Sequence, residues 1–363
     1  MIPYSNKKWW EEVLEQAAVT DVFYLHSYSD LYRRLGDGEP QLFVYTAPAG
    51  QKVYYSFLKK RLGELKFLGE QGSLGHYYDI ITIPYGYGGP LTDSHSPEVI
   101  KAFRLEFGTF CEEEKIVSEF VRFHPLLENY HFVENDLDVS NDRETVAVDL
   151  TKTQEELMAD YHKNHRRNLR KAEKHGLEFH TYQGKEAVKK AENFYSLYTQ
   201  TMDKLQASSY SYFSLDYVKN LMADMGSKAV LCGVYAEEKM IAAAICLYEN
   251  DCLHYHLGCS DQSYIHIGSN VFLLHECGLW GKRSGCHTFH LGGGHSGRDS
   301  LFTFKHRFSQ QKPRDFFIGK KIHNQQVYDK LVNQWEEHYK QPADSGFFPA
   351  YRSLPQTTAA GAI

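Results

Sequence analysis

Residues 288–308 read TFHLGGGHSGRDSLFTFKHRF, and this stretch is the most specific signal in the chain. Its first four residues predict a strand, because they are mostly apolar or β-branched and a turn-forming run follows them. That run contains three consecutive glycines, Gly292, Gly293 and Gly294. Glycines let the backbone approach a ligand closely, and the charged residues Asp299 and Lys305 come next. We therefore interpret the stretch as a functional loop; the alternative is a flexible turn between strand and helix.

Strands and helices alternate along the rest of the chain, which predicts an α/β (α+β) fold. The predicted strands cover residues 41–46, 52–57, 80–83, 116–123, 145–150, 229–235, 240–248, 252–258 and 288–291. The predicted helices cover residues 8–18, 97–114, 153–175, 185–205, 215–225 and 269–284.

The length of 363 residues exceeds one ordinary core, so the sequence predicts two domains. We place the boundary near residue 150, since residues 135–143 are polar and loop-like. Thr153 and Glu156 then form the capping-box pattern that starts a helix. The predicted segments are a domain over residues 1–150, a domain over residues 151–350 and a flexible tail over residues 351–363.

The composition argues against several classes of protein. A formal net charge of −6 disfavours a dedicated nucleic-acid binder, so such contacts need a local basic patch. The seven cysteines are scattered and never spaced as CxxC, which argues against a disulfide framework and a zinc ribbon. The sequence shows no signal peptide and no apolar stretch of roughly 20 residues. It therefore predicts a cytoplasmic chain without a transmembrane segment.

A basic helix is predicted within residues 161–175, where six basic residues stand against one acid. At helical spacing Arg167 and Arg170 share one face, and Arg166 lies on an adjoining stripe. Arginine offers phosphate a planar fork of donors, so this helix is a candidate phosphate contact. The alternative is a solvated charged face.

The segment Gly268, Ser269 and Asn270 precedes another predicted helix. The first N–H groups of a helix and its positive dipole end favour an anion. The alternative is that Ser269 or Asn270 is a simple N-cap.

The segment YGYGGPLTD covers residues 85–93 and follows a strand. It offers Tyr85, Tyr87 and Asp93 to a polar ligand, and an ordinary tight turn is the alternative. A metal site is not predicted, because no carboxylate or thiol spacing supports the histidines that could gather in space. These are His254, His256, His287, His290 and His295.

These features occur together in the order found in FemAB/FemX-like proteins, which resemble tandem GNAT acetyltransferase domains. The matching motifs are YYDIITIPYGYGGP (77–90), VRFHPL (121–126), HRRNLRKAEKHG (165–176), SNVFLLHECGLWGKRSG (269–285), FHLGGG (289–294) and DSLFTFK (299–305). The resemblance runs through most of the chain. It implies two GNAT-like domains, each a mixed and mostly antiparallel sheet flanked by helices.

The resemblance also implies an activity and a set of site residues. The family moves an amino acid from aminoacyl-tRNA, or in wider relatives an acyl group from a CoA thioester, onto an amine. Lys305 would stabilise negative charge near the transferred carbonyl. The implied acceptor residues are Tyr85, Tyr87 and Asp93, with Arg166, Arg167 and Arg170 on acceptor or donor phosphates. The implied donor residues are Gly268, Ser269, Asn270, Gly292, Gly293 and Gly294.

Two departures from the family pattern bear on the substrates. Gly176 closes the basic helix, which leaves no room for the helical-hairpin insertion of some cell-wall bridge enzymes. The Arg/Gln-x-x-Gly-x-Gly/Ala loop of ordinary GNAT enzymes is absent from the sequence, which weakens the case for strong CoA binding.

The predicted reaction is direct attack of an acceptor amine on an ester or thioester carbonyl. Asp299 would accept a proton or only orient Lys305. No tightly bound cofactor is expected, and acyl-CoA or aminoacyl-tRNA would be the co-substrate. The acceptor would be a cell-envelope precursor, an amino sugar, which can be nucleotide-linked, or a peptide-like molecule. The alternative is a non-catalytic binding module derived from the same fold.

Overall fold

The computed structural model describes residues 2–3, 6–69, 74–94, 96–207 and 209–356 of the chain. The chain forms two compact units. Unit 1 comprises Met1–Val19, Tyr32–Asn141 and Phe317–Ile363, and unit 2 comprises Thr20–Leu31 and Asp142–Phe316.

The strands and helices alternate as the sequence predicts. In chain order the strands are β1 (Ile2–Pro3), β2 (Glu39–Thr46), β3 (Lys52–Arg61), β4 (Tyr78–Ile81), β5 (Leu91–Thr92), β6 (Ile116–Arg122), β7 (Asp138–Asp149), β8 (Glu178–Tyr182), β9 (Ala229–Ala236), β10 (Lys239–Glu249), β11 (Cys252–Ser260), β12 (Thr288–Gly293) and β13 (Arg314–Ile322). The α-helices are α1 (Lys7–Leu14), α2 (His26–Arg34), α3 (Pro97–Glu113), α4 (Gln154–Asp160), α5 (Lys163–Lys174), α6 (Gly184–Lys189), α7 (Ala191–Leu205), α8 (Leu215–Met225), α9 (Ser269–Arg283), α10 (Ser300–His306) and α11 (Gln325–Tyr339).

Unit 1 contains a mixed sheet in the order β1-β2-β3-β4-β6-β13, with β5 on β3. Only β4 and β6 run parallel, and the other pairs are antiparallel. Helix α3 starts after Ser96, whose hydroxyl caps the N–H of Val99. It buries Phe103, Phe107 and Cys111 against the aromatic residues of the strands. This packing forms the core of unit 1.

Unit 2 has the corresponding arrangement in the order β7-β12-β11-β10-β9-β8. Here β11 and β12 are the parallel pair, while the other pairs are antiparallel. Helix α9 buries Leu273, Leu274 and Cys277 in the core of this unit. Both units thus have a mixed, mostly antiparallel sheet flanked by helices, and the predicted fold class is confirmed. None of the helices in the described part of the chain is long and apolar enough to cross a membrane.

The predicted helix 153–175 is two helices in the structure. Thr153 and Glu156 form the predicted capping box at the start of α4. The chain then becomes extended at Tyr161, which is buried against Phe308. His162 caps the new helix α5 by accepting the N–H of Asn164 at its Nδ1. Burial of one aromatic side chain therefore interrupts a segment whose local propensity is helical.

The unit boundaries differ from the predicted domains in two respects. Residues 135–143, expected to be a loop, are mostly part of β7, whose exposed polar side chains hide its strand character. Residues 317–350 belong to unit 1 instead of the second domain, because β13 pairs with β6. Helix α11 likewise buries Leu331 and Trp335 in a cluster of unit 1. Neither β13 nor α11 was predicted from the sequence.

The predicted flexible tail, residues 351–363, is packed at its start. Tyr351 is buried, and its hydroxyl donates to Asp79 Oδ1 at 2.6 Å. Arg352 Nε donates to the other oxygen of Asp79, also at 2.6 Å. The prediction is therefore wrong for these two residues, because a buried carboxylate holds them. Residues 357–363 lie outside the described part of the chain.

Candidate active site

Lys305 lies on α10, directly after the glycine-rich loop, and is only 7% exposed. Its Nζ donates to the carbonyl oxygen of Gly293 at 2.7 Å. The same Nζ lies 5.7 Å from the centre of the Tyr255 ring. The loop and helix thus hold one amine in a buried position at the end of strand β12.

The charge on Lys305 is held in a poorly solvated place. Burial lowers the pKa of Lys305 to about 8, and the negative charge of Asp299 only partly offsets this effect. Within the described residues no carboxylate lies within salt-bridge distance of its Nζ. At neutral pH the side chain is still mostly protonated, so it can stabilise a developing oxyanion strongly.

Asp299 is the N-cap of α10. One of its oxygens accepts the N–H of Phe302 at 2.8 Å, and the other accepts the N–H groups of His295 and Ser296 at 2.7 and 3.2 Å. Burial acts to raise the pKa of Asp299, but these backbone donors hold it below its usual value. An anion with three backbone donors is a weak base, so the contacts favour a positioning role over that of proton acceptor.

Each glycine of the run 292–294 has a structural role of its own. Gly292 has a φ of +70° and lies where the pairing of β12 with β7 shifts register. Gly293 supplies the carbonyl that Lys305 contacts. A Cβ on Gly294 would lie 2.2 Å from Asp299 Oδ1. The carboxylate can therefore take its position only because residue 294 has no side chain. The loop therefore positions Lys305 through its own backbone.

The parallel strands β11 and β12 stay paired over only three residues each. Cys252–His254 on β11 match Thr288–His290 on β12. Beyond that point β11 continues along β10, whereas β12 continues along β7. Parting strands leave backbone groups on their facing edges for a ligand. This opening leads to the loop that carries Gly293.

The start of α9 has no side-chain cap. Its N-cap is Gly268, and the hydroxyl of Ser269 donates to the carbonyl of Tyr264 at 3.2 Å instead of capping the helix. The buried Oδ1 of Asn270 has no hydrogen-bond partner among the residues that the structure describes. The expected alternative, a simple N-cap by Ser269 or Asn270, therefore does not account for this turn, and its free N–H groups suit an anion.

Helix α5 lies beside this helix start. Lys171 Nζ donates to the carbonyl of His266 at 3.2 Å, and a Cβ on Gly268 would lie 2.4 Å from the carbonyl oxygen of Asn168. Arg167 and Arg170 are exposed on the face of α5 opposite its buried residues. Neither forms an ion pair within the described part of the chain. Two predicted groups, the basic helix and the helix start, are thus brought together.

Arg166 has a different environment from the other two arginines. Its Nη1 donates to the carbonyl oxygens of Tyr161, Ala159 and Met158 at the end of α4. These contacts satisfy carbonyls that the helix leaves free, so Arg166 closes α4.

The predicted acceptor residues lie in unit 1. Asn129 Nδ2 donates to the carbonyl oxygens of Gly88 and Pro90 at 2.9 and 3.0 Å, which fixes the loop that carries the tyrosines. The Tyr87 ring lies 5.4 Å from the His124 ring. Tyr85 is partly exposed, and its carbonyl accepts a hydrogen bond from the Tyr32 hydroxyl.

Asp93 lines a cavity of about 210 Å³ in unit 1. Lys52 and Tyr54 lie on the same wall-forming strand, β3, and Gln16 contributes an amide oxygen that Lys52 Nζ contacts at 2.5 Å. This cavity was not predicted from the sequence, because its walls come from three separate segments: residues 16–19, residues 50, 52 and 54, and residues 92–93. The alternation of Lys52 and Tyr54 along β3 is the only sequence signal, and many exposed strands share it.

Comparisons with known proteins identify similar folds. Residues 159–306 match the family of acetyltransferase (GNAT) domains. The crystal structure of FemX superposes with a TM-score of 0.67 at 12% identity, covering 89% of this chain and 98% of that one. No curated protein matches the chain in sequence.

Two further structures share the fold. A C-terminal domain assigned to a lysylphosphatidylglycerol synthetase from Agrobacterium fabrum gives a TM-score of 0.55 at 14% identity, over 92% of this chain and 96% of that one. L-PGS from Bacillus licheniformis gives 0.50 at 13% identity, over 84% and 95%. Residues 159–306 are therefore similar to a GNAT domain and the fold of the chain is similar to that of FemX, so the resemblance predicted from the sequence is confirmed at the level of the fold.

Proposed function

We propose that this protein transfers an acyl or aminoacyl group from a thioester or an aminoacyl-tRNA to the amine of an acceptor. The main support is that Lys305 places a buried ammonium next to the Gly293 carbonyl, inside the segment that matches the GNAT family. Keeping a charged amine buried without a carboxylate partner costs stability, which favours a functional reason for it.

In the proposed reaction the neutral acceptor amine attacks the carbonyl carbon of the donor. The negative charge that develops on the carbonyl oxygen is stabilised by the ammonium of Lys305. The new C–N bond forms as the C–O or C–S bond breaks, and the alcohol or thiol leaves with the proton that the amine gives up. Asp299 holds the loop and α10 in place during these steps, and needs no proton transfer of its own.

The donor side is proposed to lie at α5 and the start of α9. Both candidate donors carry phosphates; the free first turn of α9 lies beside Lys171 of α5, and the exposed face of the same helix carries Arg167 and Arg170. The basic face of α5 extends over three turns, which favours the polyanionic aminoacyl-tRNA over a CoA thioester. No tightly bound cofactor is needed for either donor.

The acceptor is proposed to be a small or nucleotide-linked molecule with a free amine, such as a cell-envelope precursor, an amino sugar or a peptide-like compound. The cavity of unit 1 supports this class, since Asp93 offers a carboxylate to an ammonium and Lys52 offers a cation to an acid group. All seven cysteines are free thiols, which fits the cytoplasmic location that either donor requires.

Mass spectrometry of reaction mixtures tests the proposal. The full chain is incubated with acetyl-CoA or with charged tRNA, together with pooled amine acceptors, and an acceptor should gain the mass of the acyl or aminoacyl group. Lys305→Met keeps the buried aliphatic volume and should lower the rate about 10²- to 10³-fold. Lys282→Met is the matched control, because Lys282 Nζ also donates to a backbone carbonyl in unit 2, that of Leu150 at 2.8 Å.

The donor is identified in the same assay. Arg167→Glu with Arg170→Glu should raise the KM for the true donor about tenfold or more, because each change reverses a phosphate-facing charge. Lys185→Glu with Lys189→Glu makes the same change in net charge on the exposed helix α6 and should leave KM unchanged. If neither donor gives a mass shift and the chain still binds the acceptor, the protein is the alternative, a non-catalytic binding module.

A further inference from the structure

A second polar cluster lies in unit 2, where the segment Thr20–Leu31 meets strand β11. Asp21 Oδ2 lies 2.8 Å from His254 Nε2, and Cys252 Sγ lies 3.3 Å from the same nitrogen. The three ligand atoms lie within 4.8 Å of one another. Their residues are 3%, 2% and 8% exposed, in the order Asp21, His254 and Cys252. A carboxylate, an imidazole and a thiol thus converge on one buried point.

We propose that Asp21, Cys252 and His254 bind a divalent metal ion of the zinc type. Zinc accepts oxygen, nitrogen and sulfur ligands together, whereas magnesium and calcium require oxygen alone. These three ligands could not be recognised from the sequence, because Asp21 is more than 230 residues from the other two and no spacing rule joins them.

The distances fit such an ion with a small adjustment. Around tetrahedral zinc, bonds of about 2.0–2.3 Å place ligand atoms roughly 3.3–3.6 Å apart. The observed oxygen–nitrogen and sulfur–nitrogen separations are 2.8 and 3.3 Å, so the cluster needs to open by about 0.5 and 0.3 Å. Side-chain rotation can supply this without moving the strand.

Outer contacts orient two of the proposed ligands. His254 Nδ1 lies 3.2 Å from Nδ1 of His290, so the ring can donate its other N–H there while Nε2 faces the metal. Asp21 Oδ1 accepts the N–H of Phe23 at 3.3 Å, which leaves Oδ2 toward the cluster. Metal-bound histidines usually donate their second N–H in this way, since the contact fixes the ring and its tautomer.

Charge balance favours this cluster over a second one in the same unit. Cys232, Cys246 and Cys277 also place three ligand atoms within 4.8 Å of one another, in the apolar core. Three thiolates around a divalent ion leave one negative charge buried, which is costly. One carboxylate, one thiolate and a neutral imidazole around the same ion sum to zero.

The bound metal would fasten the segment Thr20–Leu31 to β11. Two weaker contacts already hold it there: the Phe23 ring against His254 at 4.7 Å and the Tyr28 ring against His256 at 5.8 Å. Zinc binds cysteine as the thiolate, so Cys252 must be deprotonated in the complex. Metal binding should therefore release the Cys252 proton and stabilise unit 2.

Metal titration of the full chain tests the proposal. After dialysis against a chelator, Zn²⁺ or Co²⁺ alone should bind with one equivalent per chain, and Co²⁺ should give the near-ultraviolet absorption of a thiolate complex. Zn²⁺ should also raise the Tm. The variants Asp21→Asn and Cys252→Ser keep size and hydrogen bonding, and each should weaken Zn²⁺ binding about 100-fold or more. His290→Gln should weaken it about 10- to 100-fold, as expected for an outer contact.

Cys246→Ala is the matched control, because it removes a buried thiol of the other cluster. It should keep the full equivalent of metal and the Co²⁺ spectrum. The proposal is overturned if the wild type takes up no stoichiometric metal, or if Asp21→Asn and Cys252→Ser bind as tightly as the wild type. Loss of the metal in Cys246→Ala with retention in Asp21→Asn would likewise overturn it and place the ion at the three thiols.

Discussion

Each unit contains a buried cationic side chain, and the two differ in their hydrogen-bond partners. In unit 1 the guanidinium of Arg104 makes two hydrogen bonds to Glu119 at 2.9 and 3.1 Å and a third to Asp136 at 2.6 Å. In unit 2 the ammonium of Lys305 makes one hydrogen bond, to the carbonyl of Gly293. Arg104 is paired on every side, whereas Lys305 has only a neutral partner.

The pKa values follow from this difference. Burial acts to raise the pKa of Glu119, but the Arg104 guanidinium and a hydrogen bond from His323 hold it well below its usual range. The pKa of Lys305 is lowered to about 8 by the same kind of burial. A carboxyl whose pKa is lowered on folding favours the folded state at neutral pH, and an amine whose pKa is lowered opposes it. We infer that Arg104 supports the fold and that Lys305 is kept for chemistry.

Glu119→Gln should have the largest effect, a loss of about 3–5 kcal/mol in the free energy of unfolding, because it leaves Arg104 buried without its main partner. Urea denaturation measures it. Glu114→Gln is the control: Glu114 pairs with Lys59 near the surface, and its loss should cost less than about 1 kcal/mol. Similar losses of stability in both variants would show that the pairing of Arg104 with Glu119 does not support the fold.

Lys305→Met should change stability in the opposite direction to Glu119→Gln and raise the free energy of unfolding at pH 7 by about 1–3 kcal/mol. The folded-state pKa of Lys305, about 8, lies below the ordinary lysine value of 10.5, so folding favours the neutral form. The wild type should therefore gain stability as pH rises from 8 toward 10.5, and the gap to Lys305→Met should narrow. A variant less stable than the wild type would show that Lys305 supports the fold.

The transfer rate should fall above pH 8, by up to about tenfold per pH unit, as Lys305 loses its proton and its charge. The rate against pH, measured at saturating donor, checks this. Lys282→Met should keep the same profile. A rate that stays level up to pH 10 would exclude the ammonium of Lys305 as the oxyanion-stabilising group.

Asp299→Asn should have the smallest effect, a change in rate of less than about tenfold, because an amide oxygen still caps the N–H of Phe302 while the amide nitrogen no longer accepts the N–H groups of His295 and Ser296. Asp299→Ala should lose the cap and cost about 0.5–2 kcal/mol of stability. A rate reduced 100-fold or more in Asp299→Asn with an unchanged Tm would instead identify Asp299 as the proton acceptor.

Most elements were predictable where the local signal was strong. The helix 215–225 and the hairpin of β9 and β10 match their expected positions, because apolar period and turn residues agree there. Strand β13 and helix α11 were missed, and β13 is stabilised by its pairing with β6 rather than by local propensity. Tyr161 split a predicted helix for the same reason, since its burial depends on distant Phe308.

The proposed sites also fall into a part that the sequence predicted and a part that only the structure revealed. The proposed site residues between Gly292 and Lys305 were identified in one stretch of sequence. The cavity around Lys52 and Asp93 and the cluster around Asp21 were not, because each joins segments far apart in the chain.

The opening stretch, residues 288–308, predicted by itself a strand, a glycine-rich loop and a functional lysine, Lys305, six residues after Asp299. Apolar patterning indicates the strand, and hydrogen bonds between near neighbours such as Asp299 and Phe302 set the helix start, so the sequence alone contains these features. Only the tertiary structure decided that Lys305 is buried with a lowered pKa while Arg104 is fully paired. Desolvation and ion pairing depend on what the rest of the chain places around a group, and no local pattern records that.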